Sequence, residues 1–79
     1  MTLDQLQRGD RIRVLEIQGG WGVRQRLGRM GIHPGDVLVV KQSGIMNGPI
    51  LVQVHGSEVA IGRGMASKIA VEMVLRSES

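Results

Sequence analysis

A mainly β fold, a small SH3-like barrel of five strands with short helical segments, is what this sequence predicts, and three observations predict it. The chain has 79 residues, the length of one domain, and a chain that short buries only ~60% of the surface its unfolded form exposes. Its apolar runs are short, rich in β-branched types and divided by 12 glycines, which punctuate strands. Phe, Tyr and Cys are absent and Trp21 is the only aromatic, so the core is aliphatic and disulfides and thiolate metal sites are excluded. Five strands are too few for a two-sheet sandwich, and closure removes the free edges of so short a sheet. A five-stranded oligonucleotide-binding barrel is the second choice.

Thr2 before Leu3-Asp4-Gln5-Leu6 reads as an N-cap and one helical turn. Gly9-Asp10 turns the chain into a first strand over 11–17, RIRVLEI. Its alternation is imperfect: Ile12 and Val14 fall on one face, Leu15 and Ile17 on the other, which suggests a bulge or a strong twist. Gly19-Gly20 ends it. Over 21–30 the period changes, with Val23, Leu27 and Met30 at i, i+4 and i+7, the stripe of one helix face. Arg24, Arg26 and Arg29 lie off that stripe, and Trp21 falls on roughly the opposite side.

The stretch RLGRMGIHPGDVLVV, residues 26–40, contains a sharp corner. Gly31 fits a helix stop, and Pro34-Gly35 supplies the fixed and the permissive torsions of a type II turn. Val37-Leu38-Val39-Val40 is apolar on both faces and reads as a strand buried on both sides. A glycine-rich connection over 42–49, carrying Ile45 and Met46, precedes a third strand over 50–54. Gly56-Ser57 reads as a tight hairpin turn into a fourth strand over 58–61. Arg63 to Lys68 fit one helical or 3₁₀ turn. In the last strand Ile69, Val71, Met73 and Leu75 alternate with Ala70, Glu72, Val74 and Arg76.

The formal net charge is +3, which fits nucleic acid, an acidic protein or an anionic membrane surface alike. No apolar run approaches the ~20 residues that span a bilayer, and the N-terminus has no secretory pattern, so a cytoplasmic protein is expected. Single-strand binders stack bases on several aromatics, and this chain offers one; nucleic acid is not expected as a partner.

Catalytic signals are missing. His33 and His55 both sit in turns, without a sequence-local set of metal donors. The seven carboxylates are scattered over strand edges and turns, and no serine stands in a nucleophile-elbow context. Gly62-Arg63-Gly64 lacks the Lys-Ser or Lys-Thr pair of a phosphate loop. The expectation is a protein that is not an enzyme, with no catalytic residue and no cofactor, leaving room only for transition-metal binding that is weak or shared between subunits. The surface is more informative. Trp and Arg are the types enriched at binding hot spots, so Trp21, Arg24 and Arg29, with Ile45 and Met46 as an apolar loop tip, are the candidate partner-binding residues. The competing reading of Trp21 is a plug over one end of the barrel.

The segments IQGGWGVRQRLGRMGIHPGDVLVV and GPILVQVHGSEVAIGRGMASKIAV together resemble the FeoA family, small accessory proteins of bacterial and archaeal ferrous iron transport. The features that carry the resemblance are Gly19-Gly20, the run from Arg26-Leu27 to Met30-Gly31-Ile32, Pro34-Gly35, Gly48-Pro49 and the segment 66–71. They span roughly residues 2–75 in the family's order. The resemblance implies an SH3-like single domain over 1–79 and a cytoplasmic location. It also implies a partner, the cytoplasmic portion of the FeoB transporter, a GTPase-linked ferrous iron permease. A metal-binding or metal-sensing domain is the alternative, and a nucleic-acid-binding small barrel a more distant one.

Overall fold

The computed structural model describes residues 1–74. In chain order the elements are β1 (Arg11–Ile17), α1 (Trp21–Arg29), β2 (Val37–Gln42), β3 (Ile50–Val54), β4 (Ser57–Ile61), α2 (Arg63–Ala66) and β5 (Ile69–Met73), with 3₁₀ turns at Leu3–Gln5 and Ile45–Asn47. The five strands form one antiparallel sheet in the order β4-β3-β2-β1-β5.

The sheet curls around its core as an SH3-like fold does, but it is not closed. Among the described residues β4 and β5 do not pair. The seven residues between them carry α2, which packs against the N-terminal turn, and that turn packs on β5. The outer edge of β5 is covered by the chain's beginning, through the Thr2–Ala70 bridge and a Val71 N–H to Met1 O bond of 2.9 Å. A helical turn and an N-terminal strap thus do what a fifth ladder, between β4 and β5, would have done.

The core is aliphatic. Leu3, Leu6, Ile12, Val14, Ile17, Leu27, Ile32, Leu38, Val40 and their neighbours on β3, β4, α2 and β5 are buried, and among the described residues no polar or charged one is. In β1 the register shifts between Val14 and Glu16. That bulge absorbs one residue, so Ile17 returns to the face of Ile12 and Val14 while Leu15, alone among the strand's apolar residues, is left exposed beside Glu16. Simple alternation would have put Leu15 and Ile17 together; the bulge separates them.

Although β2 is central in the sheet, it is buried on one face only. Leu38 and Val40 face the core, whereas Val37 is exposed and Val39 half-buried. Both outer-face valines stand directly opposite arginines, Val37 across from Arg13 and Val39 across from Arg11. Arginine stems cover apolar surface while their heads stay wet, so the four-valine-like run does not need a second covering layer.

The corner takes the expected form. Gly31, at φ 85°, follows the last residue of α1's cap; its N–H bonds Gly28 O and the Ile32 N–H bonds Leu27 O, each at 3.0 Å. That is a Schellman stop, and the two residues it joins, Leu27 and Ile32, both lie in the buried core. The Asp36 N–H to His33 O bond of 3.0 Å, with Gly35 at φ 96°, makes the type II turn. The turn is pinned to β1 by Gly35 N–H to Val14 O at 2.7 Å and Val14 N–H to Asp36 O at 2.8 Å. The hairpin between β3 and β4 turns on His55-Gly56, not Gly56-Ser57, since Val54 pairs with Ser57 and both turn residues have positive φ. Leu75 and the residues after it lie outside the described residues.

Candidate functional site

The helix α1 is tethered at both ends and left bare between them. Gly19 leads into it at φ 100°, a backbone conformation that favours glycine, and a Cβ there would sit tightly against Val23 Cγ2 at 3.2 Å and Lys68 Cδ at 3.3 Å. Leu27 is fully buried, and Val23 and Met30 pack against the core as partly buried residues. This is the predicted stripe, with one deep anchor and two shallow ones.

The opposite side of α1 faces solvent. Trp21 is 75% exposed, which excludes the plug reading. Arg24, Arg26 and Arg29 are all exposed, and α1 contains no acidic residue. Among the described residues none of the three arginines forms an ion pair; the salt bridges found are Arg13–Glu72 and those of His33 and His55 with Asp36. Arg24 is nevertheless oriented: its Nε donates to Ile17 O at 3.3 Å.

Beside Arg24 lies a groove of about 350 Å³, lined by Leu15, Glu16, Ile17, Arg24, Ile32, His33 and Pro34. Three separate pieces of local chemistry shape it: the β1 bulge that turns Leu15 out, the helix that supplies Arg24, and the Pro-Gly corner. Leu15 is 49% exposed at its mouth. Sequence reasoning missed the groove, although the broken alternation of β1 was its signal.

Ile45 and Met46 are not brought to this surface. Their loop follows the far end of β2, a six-residue strand that spans about 20 Å at ~3.3 Å per residue, while α1 and the corner sit at its near end. The side chain of Ile45 lies outside the described ones. Met46 is 94% exposed, and Met46 and Asn47 both adopt positive φ, 56° and 65°. Arg63 ties the loop down from α2, with Nη2 on Gly44 O at 3.1 Å and Nη1 on Asp4 O at 3.4 Å, while its Nε is buried without a partner. Ser43 Oγ adds a bond to Leu6 O at 2.9 Å.

Folding also gathers both histidines around one carboxylate. Asp36 Oδ2 accepts the His33 backbone N–H at 2.7 Å and lies 3.5 Å from His33 Nδ1; His55 Nε2 donates to Oδ1 at 3.1 Å. The two imidazoles address different oxygens, and among the described residues no group of three or more His, Cys, Asp or Glu side chains is arranged to hold a metal ion. The arrangement clasps the corner to the β3–β4 hairpin. No helix among the described residues is long and apolar enough to cross a membrane.

The FeoA domain family model matches residues 1–73. A protein of Methanocaldococcus jannaschii with the provisional name Fe(2+) transport protein A is 45% identical over 64 residues, covering 81% of this chain and 76% of its own. Among solved structures, the crystal structure of an iron uptake regulatory protein (FeoA) superposes with a TM-score of 0.86 at 36% identity, covering 94% of this chain and 96% of that one. The solution structure of a FeoA protein from Chlorobium tepidum gives 0.86 at 31% identity, over 99% of this chain and 74% of that one.

Proposed function

The chain belongs to the FeoA family, and from that premise we propose that it is a non-catalytic accessory protein of ferrous iron transport that works in the cytoplasm by binding the cytoplasmic portion of a FeoB-type transporter. The observation that carries this reading is the bare face of α1. One exposed Trp on a chain without other aromatics, beside arginines that have no ion-pair partner among the described residues, has the composition of a protein-binding hot spot. A planar guanidinium pairs with carboxylates of a partner through two parallel bonds, and a Trp ring fills a pocket beside them. Ferrous iron is the transporter's cargo in this reading. The chain itself carries no cofactor and is not asked to hold the ion.

An NMR titration of the labelled protein with the soluble GTPase domain of its transporter tests it. Binding should broaden or shift the amides of 21–30. The double variant Trp21→Ala, Arg24→Ala should bind roughly 2 kcal/mol more weakly, about 30-fold, with a wild-type melting curve. Absence of any binding by the wild-type chain overturns the reading. Unaltered binding by a folded double variant removes these residues from the interface.

A further inference from the structure

The two edges of the sheet are treated differently. The edge of β5 is taken up by the chain's beginning, through the Thr2–Ala70 bridge and the Val71 N–H to Met1 O bond. The edge of β4 has no such cover. At the His55-Gly56 turn, Val54 and Ser57 form the closing pair of the hairpin and exchange both backbone bonds. Alternation makes Val52–Val59 and Ile50–Ile61 the next bonded pairs, so Glu58 and Ala60 turn their N–H and C=O groups away from β3. Both residues are exposed, and among the described residues no other backbone group bonds them. Free edges are ordinarily guarded by Lys, Pro or a bulge. The β4 sequence, SEVAI, holds neither residue, and β3–β4 runs in unbroken register where β1–β5 and β2–β3 are each interrupted.

We propose that β4 pairs antiparallel with β4 of a second copy of this chain, centred on Val59, so that the two sheets join into one. Self-complementarity selects this occupant. In that register the N–H and C=O of Glu58 meet the C=O and N–H of the partner's Ala60, and the twofold axis repeats the exchange. Glu58 stands opposite an alanine; a register centred on Glu58 would set two carboxylates face to face, which is unfavourable. A register centred on Ala60 would carry the strand into α2, which begins at Arg63. Centred on Val59, the half-buried valine meets its own copy, and Gly56 falls opposite Gly62, each with open space where a Cβ would stand. The pairing is also closed. Because β5 is covered, a twofold β4 contact uses the free edge of both copies and leaves none for a third. A five-residue strand buries less than the ~1,200 Å² of a standard interface, so the dimer is weak and depends on concentration. None of this rests on the transporter reading.

Dilution of the labelled full chain from low millimolar to tens of micromolar, followed by amide shifts and sedimentation equilibrium, tests the pairing. At high concentration the mass should approach that of a dimer while the amides of Glu58, Val59 and Ala60 shift together. Ala60→Pro removes an outward N–H that no backbone group of the chain accepts, a change that edge strands tolerate. It should stay monomeric throughout. Charge reads the register: Ala60→Lys places a cation opposite each Glu58 and should tighten the dimer about threefold or more, and Ala60→Glu should loosen it by as much. If Ala60→Pro melts early, these two variants decide alone. A wild-type chain that is monomeric at every concentration overturns the proposal. A dimer that the Lys and Glu variants leave unchanged lies at another surface and overturns it as well. Protection of the Glu58 and Ala60 amides only on addition of the transporter's GTPase domain would give the edge to a foreign strand, and self-pairing would again fall.

Discussion

The two ends of β2 each present an exposed apolar side chain, and they hold it by opposite means. At the near end, Trp21 stands on a helix whose stop, corner and turn are all satisfied by backbone hydrogen bonds and by the Asp36 clasp. At the far end, Met46 sits on a loop in which two consecutive non-glycine residues have positive φ and Gly44 lies against the Gly48 carbonyl with no room for a Cβ. The first arrangement is firm because each local preference agrees with the fold. The second is strained, and the loop is held by Arg63 reaching in from α2 and by its own Ser43 bonding out to Leu6 O. A docking anchor needs its rotamers and backbone settled before a partner arrives, so the helix end is the better placed of the two to bind by a fixed geometry.

The largest effect should come from breaking the firm end at its root. Leu27 is fully buried and is also the residue whose carbonyl closes the Schellman stop. Leu27→Asp puts a carboxylate where no cation or donor is waiting, at several kcal/mol. A domain with ~5 kcal/mol to spare should then be largely unfolded at 25 °C, by circular dichroism. A cooperative melt near wild type would mean that α1 is not docked through Leu27.

Gly44→Ala attacks the far end. The new Cβ meets backbone rather than a flexible side chain, so the loop must shift, at about 1–3 kcal/mol. For a domain this size that is a fall of roughly 4–8 °C per kcal/mol. The amides of 21–36 should keep their wild-type shifts, because the strain is local to 43–49. A wild-type melt would show that the loop is looser than the Gly44–Gly48 contact implies, and the contrast between the ends would fail.

How far the two ends were legible in the sequence follows from the same contrast. The firm end is built from short-range chemistry: the 23-27-30 stripe, Gly31, and Pro34-Gly35 each name their own geometry, and the helix and corner stand where the spacing puts them. What local reading could not supply was long-range. The open β4–β5 gap depends on α2 packing against the N-terminal turn, and the bond between Asp36 and His55 joins residues 19 positions apart. The one-sided burial of β2 depends on which strand lies opposite, since the arginines beside Val37 and Val39 come from β1. In the candidate site, Trp21, Arg24 and Arg29 were legible from being off the apolar stripe. Leu15 was not, because a bulge's position is set by the partner strand.

A smaller effect is expected from Asp36→Ala, which removes the clasp and leaves the turn. The His33 N–H loses its acceptor and His55 its partner, but both histidines are exposed and water replaces much of what is lost. The cost should be about 1–2 kcal/mol, with the largest amide shifts at 33–37 and at the His55-Gly56 turn. Shifts confined to residue 36 and its neighbours would mean that the corner and the hairpin are held together by core packing alone.

The smallest effect should be of opposite sign. At φ 56° Met46 occupies left-handed backbone that a side chain disfavours by about 1–2 kcal/mol, and at 94% exposure its side chain recovers almost nothing by burial. Glycine adopts that conformation freely but loses ~0.5–1 kcal/mol of chain entropy on folding. The difference leaves Met46→Gly more stable than wild type by about half a kcal/mol, a rise of a few degrees in the melt. Trp21, on unstrained helix, has no such gain to release: Trp21→Ala should move the melt by less than about 0.5 kcal/mol either way. The two variants melted side by side decide whether strain really separates the ends. A destabilised Met46→Gly would mean that the methionine is packed, and that the loop end is as settled as the helix end.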